Sequence, residues 1–198
     1  MTKIKLCGLT CEADIEAANR LKPEYVGFVF AGKSKRFVTK ERAKELKEML
    51  DPGIVAVGVF VNEKPETIAD YLESDIIDIA QLHGDEDNNY IKELRRLTDK
   101  KIIKACKITR KGDLKIAEVS SADHILLDAG AGEGKTFDWS LLKGIQRRFF
   151  LAGGLSAQNV AGAIDTLHPY AVDVSSGIET DGKKDPDKMQ EFVNIVRK

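Results

Sequence analysis

The chain has 198 residues, of which 42% are hydrophobic and 32% charged, a balance typical of one folded domain spanning residues 1–198 and not of a disordered or fibrous protein. Its formal net charge of −1 at pH 7 gives no overall electrostatic reason to expect binding to nucleic acid or to an anionic membrane. No apolar run approaches the roughly 18–20 residues of a membrane span, no secretory signal pattern is present, and Cys7, Cys11 and Cys106 show no disulfide spacing, so we expect a cytoplasmic protein.

Short apolar runs alternate with amphipathic stretches along the whole chain. Several runs, such as IVAVGVFV at residues 54–61, are nearly continuous, as expected of strands buried on both faces of a parallel sheet. The predicted strands are, in chain order, Ile4–Cys7, Tyr25–Phe30, Ile54–Val61, Asp78–His83, Ile102–Ile108, His124–Asp128, Phe149–Ala152 and Ala171–Ser175.

The stretches between the strands have the spacing of helices with one apolar face. Asp185 and Pro186 are typical of an N-cap and a first helical residue, and Asp138 could cap a helix in the sixth unit, where only a short apolar turn follows. The predicted buried faces are Ala43, Leu46, Met49 and Leu50; Ile68, Tyr71 and Leu72; and Met189, Phe192, Val193 and Val196.

Eight strands, each followed by a helix or a helix-like loop, indicate a parallel α/β fold. Eight is the number of strands that closes a (β/α)₈ barrel, the TIM barrel, with the helices outside. The chain is short for that fold, so its loops must be short. A doubly wound open sheet is the alternative, because a count of strands does not establish closure.

The unusual polar residues follow the ends of the predicted strands. In a barrel these ends share one face, where active sites are found. The candidate site residues are Cys7 after strand one, Arg36 after strand two, Gln81 and His83 at strand four, Asp128 at strand six, Gly153 and Gly154 after strand seven, and Asp173, Ser175, Ser176 and Gly177 at strand eight.

The segment LLDAGAGEGKT, residues 126–136, resembles a nucleotide-binding P-loop. The pattern G-x-x-x-x-G-K-[ST] requires a glycine at position 129, where this chain has Ala129, and Gly130 comes one residue too late. We therefore expect a loop that closes over a site, and the plain alternative is a glycine loop without a role.

The segments LAGGLSAQNV and VDVSSGIE favour a phosphate site. Backbone N–H groups of the loops after strands seven and eight, with a short helix N-terminus, form the usual phosphate cradle of this barrel. Ser156 is a plausible N-cap of that helix. Ordinary turn chemistry explains either segment alone, but their occurrence at consecutive strand ends favours phosphate.

Cys7 and Asp128 are two titratable groups that would reach one mouth of the barrel and could transfer protons at two positions of one substrate. Each also has a structural explanation, Cys7 as a buried thiol and Asp128 as a turn cap. Arg36 is either a solvated member of the KSKR run or a bidentate clamp for a carboxylate. The cysteines and histidines show no metal-ligand spacing, so we expect no metal.

Six motifs occur in the order and spacing of one enzyme family: KLCGLT, SKRFV, AQLHGDE, LLDAGAGEGKTFDW, LAGGLSAQNV and VDVSSGIE. The chain resembles the phosphoribosylanthranilate isomerases of tryptophan biosynthesis along nearly its whole length. The resemblance implies an Amadori rearrangement, an aldose–ketose isomerisation of N-(5-phosphoribosyl)anthranilate, a small phosphorylated substrate, without a metal or organic cofactor.

The resemblance also implies residue roles. Asp128 would be the general acid, Cys7 the general base and Arg36 the ligand of the anthranilate carboxylate. Phosphate would be bound by Gly153, Gly154, Ser175, Ser176 and Gly177, and GAGEGKTF would close over the site. Similar enzymes usually have a longer loop with a Gly-Gly-Thr-Gly-Lys-Thr core, whereas this chain has Glu133 in a shorter one.

Two rival functions use the same scaffold. The related barrel that performs the same rearrangement on a histidine-pathway aminoimidazole has a site that resembles one using two aspartates, with a carboxylate at the end of strand one. Cys7 at that position argues against it, and Arg36 suits a substrate bearing a carboxylate. A non-catalytic sugar-phosphate sensor would keep the glycine-rich cradle without a reason to keep both Cys7 and Asp128. A monomer and a homodimer are both open from the sequence.

Overall fold

Eight parallel strands close into a barrel in the computed structural model, which describes residues 1–128 and 139–198. Each strand pairs with the next, and the first pairs with both the second and the eighth. The closed barrel prediction is therefore confirmed, and the open doubly wound alternative is wrong. The strands are β1 (Lys3–Cys7), β2 (Tyr25–Val29), β3 (Val55–Phe60), β4 (Ile79–Leu82), β5 (Lys101–Lys107), β6 (His124–Asp128), β7 (Phe149–Ala152) and β8 (Ala171–Val174).

All eight predicted strands are confirmed, and no boundary differs by more than one residue. Phe30 and Ser175, for example, were expected inside strands and lie just beyond β2 and β8. The difference goes in both directions, since β1 and β5 begin one residue earlier than predicted, at Lys3 and Lys101, because ladder hydrogen bonds and hydrophobicity do not end at the same residue.

Helices and turns connect successive strands. No helix of residues 1–128 and 139–198 is long and apolar enough to cross a membrane. In the sixth unit the structure describes a 3₁₀ turn at Trp139–Leu142, and the predicted cap Asp138 lies outside the described residues. The helices are α1 (Glu12–Leu21), α2 (Lys40–Glu48), α3 (Pro65–Glu73), α4 (Asn88–Leu94), α5 (Leu114–Glu118), α6 (Val160–Leu167) and α7 (Pro186–Val196).

The predicted apolar faces are buried, with one exception. All four residues predicted for α7 lie in the core, as do Ile68 and Leu72 of α3, with Tyr71 partly buried beside them. Met49 is 41% exposed, so its predicted burial is wrong. Because α2 ends at Glu48, helical periodicity no longer applies at Met49, and the following turn directs only Leu50 inward.

The N-terminus of α7 is capped as predicted. The Asp185 side chain accepts hydrogen bonds from the backbone N–H groups of Asp187 and Lys188 at 3.0 and 3.2 Å. Pro186 occupies the first helical turn, where its missing N–H costs nothing. A two-stranded hairpin, β9 (Glu179–Thr180) and β10 (Lys183–Lys184), precedes this cap and connects it to β8.

The interior of the barrel is filled by side chains from the strands alone, as in other barrels of this type. Phe150 is fully buried there and packs edge-on against the Tyr25 ring. Cys7, Val29 and Val59 form a separate cluster and line the cavity at the C-terminal mouth. The interior cluster consists of Tyr25, Val57, Ile79, Ile103, Ala105, Leu126, Phe150, Ala152 and Ala171.

Candidate active site

A cavity of about 410 Å³ opens at the C-terminal ends of the strands. Apolar side chains such as Val29, Val59 and Leu155 complete its wall, so the polar groups converge on a partly apolar chamber. The predicted site residues in its lining are Cys7, Arg36, Gln81, His83, Asp128, Gly153, Gly154, Asp173, Ser175 and Ser176.

Gly177 is the one candidate that the structure does not bring into this lining. It lies where the loop after β8 contacts the loop after β7. A Cβ atom at this position would be 1.9 Å from the carbonyl oxygen of Leu155 and 3.1 Å from the Cα of Ser156. Gly177 therefore allows the two loops to approach each other closely, which is a packing role.

Cys7 lies at the end of β1 and is only 7% exposed. A Cβ at Gly27 of the neighbouring strand would be 2.6 Å from its sulfur, so the absence of a side chain there makes room for the thiol. Burial raises the pKa of Cys7, while the nearby ammonium groups of Lys5 and Lys184 lower it and Asp173 raises it. The thiolate required of a base thus depends on these two lysines.

Lys5 and Asp173 form a buried ion pair beside Cys7. They are register partners on β1 and β8, and Lys5 Nζ donates to Asp173 Oδ1 at 3.0 Å. Lys5 has no exposed surface, and it faces the same side of β1 as Cys7, two residues later. Burial works to lower the pKa of Lys5, but Asp173 and Cys7 outweigh it, so the pKa is raised and Lys5 stays charged.

The side chains of Gln81, His83 and Asp128 form a hydrogen-bonded series. The Gln81 amide donates to His83 Nδ1 at 2.9 Å. On the other side of the ring, His83 Nε2 lies 3.2 Å from Asp128 Oδ2, within hydrogen-bond distance of that carboxyl group. The buried Gln81 Oε1 has no hydrogen-bond partner among the described residues. Gln81 and Asp128 therefore contact the two ring nitrogens of His83 and fix the orientation of the imidazole.

Arg36 extends over Gly8 towards the cavity. A Cβ at Gly8 would be 2.4 Å from Arg36 Cδ, and the φ of +79° at this position also favours glycine. The guanidinium donates from Nε and Nη2 to the two carboxylate oxygens of Glu179 at 2.6 and 2.7 Å. One edge of its fork is thus occupied by a carboxylate of the chain itself, which the sequence did not predict.

Glu179 is held in turn by Lys184. Lys184 Nζ donates to Glu179 Oε1 at 2.6 Å and to the Ser175 carbonyl at 3.0 Å, and its side chain is 2% exposed. Burial alone would raise the pKa of Glu179, but Arg36 and Lys184 lower it to about 2. Ser175 Oγ donates to the carbonyl of Cys7 at 3.0 Å, so this network reaches the candidate base.

The loops after β7 and β8 lie side by side at one part of the cavity. Gly153 and Gly154 both have positive φ, 98° and 65°, and a 3₁₀ turn, Ser176–Ile178, faces them. The predicted N-cap at Ser156 is wrong, because a turn at residues 157–159 intervenes and α6 begins at Val160. The backbone N–H of Ser156 instead donates to the side chain of Asn159 at 2.9 Å.

Several predictions concern residues 129–138, which lie outside the described residues. They are the P-loop comparison at Ala129, Gly130 and Gly134-Lys135-Thr136, the closing role of GAGEGKTF and the substitution Glu133.

Sequence reasoning missed Lys5, Glu179 and Lys184. For Lys5 a signal was present: a charge interrupts the apolar strand two residues before Cys7, so strand alternation places both side chains on one face. Glu179 and Lys184 had no comparable signal, because charged residues near a turn are usually solvated. Only the hairpin brings these two side chains together.

Comparisons with known proteins agree along the whole chain. A family model described as N-(5'-phosphoribosyl)anthranilate (PRA) isomerase matches residues 4–195. An N-(5'-phosphoribosyl)anthranilate isomerase from Endomicrobium trichonymphae is 45% identical over 202 residues, covering 100% of this chain and 99% of the relative. The crystal structure of phosphoribosyl anthranilate isomerase from Thermotoga maritima superimposes with a TM-score of 0.90 at 38% identity, covering 100% of this chain and 99% of that one.

A second similar structure was solved with a ligand. It is a phosphoribosyl anthranilate isomerase in complex with reduced 1-(o-carboxyphenylamino)-1-deoxyribulose 5-phosphate, with a TM-score of 0.87, 37% identity and coverage of 100% of this chain and 99% of that one. Family model, sequence relatives and solved structures thus extend over nearly every residue, including both strands that carry Cys7 and Asp128. The chain belongs to the N-(5'-phosphoribosyl)anthranilate isomerase family.

Proposed function

We propose that this chain isomerises N-(5-phosphoribosyl)anthranilate to 1-(2-carboxyphenylamino)-1-deoxyribulose 5-phosphate. The observation that carries the assignment of residues is one cavity of about 410 Å³ that collects two titratable groups, an arginine and a glycine-rich cradle. Cys7 and Asp128 reach it from β1 and β6, which are not neighbouring strands. This separation would let the two groups reach different atoms of one substrate, as two proton transfers need.

The phosphate would bind between the loops after β7 and β8. The positive φ angles of Gly153 and Gly154 bring the backbone close to an anion without a side chain in the way. Ser175 and Ser176 line the same part of the cavity. Gly177 would contribute by allowing the loops to touch, in addition to the direct contact predicted for it.

Asp128 would act first, as the general acid. Its proton passes to the ribose ring oxygen, the C1–O bond breaks, and the nitrogen lone pair forms the C=N bond of an iminium ion. His83 Nε2 lies 3.2 Å from Asp128 Oδ2, a contact that would orient the acid in the cavity. Gln81 supports this arrangement by fixing the imidazole.

Cys7 would act second, as the general base. Its thiolate removes the proton from C2, and the electron pair of that bond neutralises the iminium ion to give an enolamine. Uptake of a proton at C1 and loss of the C2 hydroxyl proton then yield the ketone. Lys5 and Lys184 favour the thiolate against the cost of burial.

Arg36 would bind the carboxylate of the anthranilate ring. A preference for a carboxylate favours phosphoribosylanthranilate over the histidine-pathway aminoimidazole as the substrate. The isomerase of that pathway would have a carboxylate at the end of β1, where this chain has Cys7. The presence of both Cys7 and the hydrogen-bonded group of Gln81, His83 and Asp128 disfavours a non-catalytic sugar-phosphate sensor, because binding alone would need neither.

The fall in anthranilate-type fluorescence tests the proposal. Phosphoribosylanthranilate is generated enzymatically, and its consumption is followed with the wild-type protein and with Cys7→Ser. Rapid loss with the wild type and almost none with the variant are expected. Loss at the spontaneous rate with the wild type would contradict the proposal, and the same assay with the aminoimidazole ribonucleotide would then test the rival activity.

The cellular location and the oligomeric state of the protein also belong to the proposal. We propose a cytoplasmic location, which the unpaired state of Cys7, Cys11 and Cys106 supports. One similar structure is described as monomers generated from the dimeric isomerase of Thermotoga maritima. For this chain, sedimentation analysis would distinguish the monomer from the homodimer.

A further inference from the structure

Arg36 is placed between Glu179 and the cavity. Arg36 lines the cavity, and its Nε and one N–H of Nη2 are taken by Glu179 at 2.6 and 2.7 Å. The N–H groups of Nη1 and the second one of Nη2 are not used by Glu179. This second edge of the planar fork has the geometry to bind another carboxylate bidentately.

Glu179 is positioned by its own partner across the hairpin. Glu179 and Lys184 are register partners in β9 and β10, so their side chains share one face of that hairpin. Their side chains are only 9% and 2% exposed. Lys184 Nζ also donates to the carbonyl and the hydroxyl oxygen of Ser175 at 3.0 and 3.3 Å. The hairpin is thereby attached to the loop that follows β8.

Two cations surround one carboxylate in this cluster. Arg36 and Lys184 carry two positive charges against the single negative charge of Glu179. The aliphatic part of Arg36 rests over Gly8, where any Cβ would collide with it. The Arg36 side chain is therefore held at its aliphatic part by packing over Gly8 and at its guanidinium by Glu179, and it lines the cavity in this position.

We propose that Glu179 and Lys184 are positioning residues that orient Arg36 and so give the site its preference for a substrate with an aromatic carboxylate. This inference rests on the proposed function and names the device that selects the substrate class. Without Glu179 the guanidinium could rotate, and the bidentate geometry would form less often.

Two ligands that differ by one carboxyl group test the inference. The first is reduced 1-(o-carboxyphenylamino)-1-deoxyribulose 5-phosphate, and the second is the corresponding phenylamino compound. With Glu179→Gln we expect the affinity for the first ligand to fall about tenfold or more, as for the loss of a hydrogen bond between charged groups. The affinity for the second ligand and for inorganic phosphate should be unchanged. In turnover, KM should rise by a larger factor than kcat falls.

Asp181→Asn is the matched control. Asp181 lies at the turn of the same hairpin, is exposed, and has a φ of 52° that asparagine also tolerates. This change from carboxylate to amide should leave both affinities at the wild-type value. If Glu179→Gln fails to fold in a thermal melt, Glu179→Asp keeps the charge but is too short to bind both cations, and it should show the same selective loss.

A double-mutant cycle identifies Arg36 as the intermediary. Arg36→Met alone should remove the preference for the carboxylated ligand, and adding Glu179→Gln should then have no further effect. Equal weakening of both ligands by Glu179→Gln, or an undiminished effect in the Arg36→Met background, would overturn the inference. A wild-type protein that binds both ligands equally and leaves phosphoribosylanthranilate unconsumed would instead refute the proposed function.

Discussion

The substitution Gly177→Ala tests whether close contact between two loops shapes the phosphate end of the site. The added methyl carbon would lie 1.9 Å from the Leu155 carbonyl oxygen, about 1 Å short of the 3.0 Å limit for real contacts of this kind. Gly177 is not among the described residues with positive φ, so the backbone itself accepts alanine. The whole effect must therefore come from pushing the loops after β7 and β8 apart by about 1 Å.

A displacement of that size in a binding site can lower activity by about 10²-fold. We expect kcat/KM for phosphoribosylanthranilate to fall by about this factor, mainly through KM, and the affinity for inorganic phosphate to fall with it. Overpacking should also lower the free energy of unfolding by about 1–3 kcal/mol. Steady-state fluorescence kinetics, phosphate titration and a denaturant melt measure these three quantities.

Gly162→Ala is the control for Gly177→Ala. Gly162 lies in α6, and its added carbon would meet the Trp139 ring at an ordinary 3.6 Å. Alanine should stabilise the helix by up to about 1 kcal/mol and leave the kinetics unchanged. Wild-type KM and phosphate affinity in Gly177→Ala would refute the packing argument.

The remaining predictions concern the proton transfers. Cys7→Ser should lower kcat by about 10²–10⁴-fold with phosphate affinity unchanged; near-wild-type kcat would contradict the base assignment. Asp128→Asn should lower kcat by a similar factor, about 10²–10⁴, because an amide cannot donate an acidic proton; retained activity would rule out this acid. Burial raises the pKa of Cys7, and only the thiolate is the base, so kcat/KM of the wild type should increase with pH through a midpoint above that of a free thiol. Lys5→Met should move that midpoint to higher pH, because the Lys5 ammonium lowers the thiol pKa; an unchanged pH profile would show that Lys5 only fills space.

The strands could be predicted from the sequence because both faces of a barrel strand are buried. A run such as IVAVGVFV has no polar side to interrupt it, and polar residues appear only where the strand leaves the sheet. The same property marks the site: Cys7, Asp128 and Ser175 follow apolar runs, and all parallel strands end on one face. Position along the chain therefore predicted most of the polar residues that line the cavity, with Gly177 as the exception.

The partners of these residues depend on contacts between distant parts of the chain. Whether Lys5 is a solvated lysine or a buried ion is decided by Asp173, a residue 168 positions away. Whether Arg36 is free to bind a ligand is decided by Glu179, 143 positions away, and Met49 is exposed because its helix stops one residue earlier. Local sequence carries no record of such pairings.

Apolar runs and the polar residues that end them predicted the number of strands, their order and most of the polar residues at the mouth of the barrel. These follow from short-range alternation of apolar and polar residues, a property of neighbouring positions. The folded arrangement was needed to establish the closure between β1 and β8, the contact between His83 and Asp128, the pairing of Arg36 with Glu179 and the close approach at Gly177. Each of these depends on distances between atoms far apart in sequence, because burial and charge pairing are properties of the folded chain.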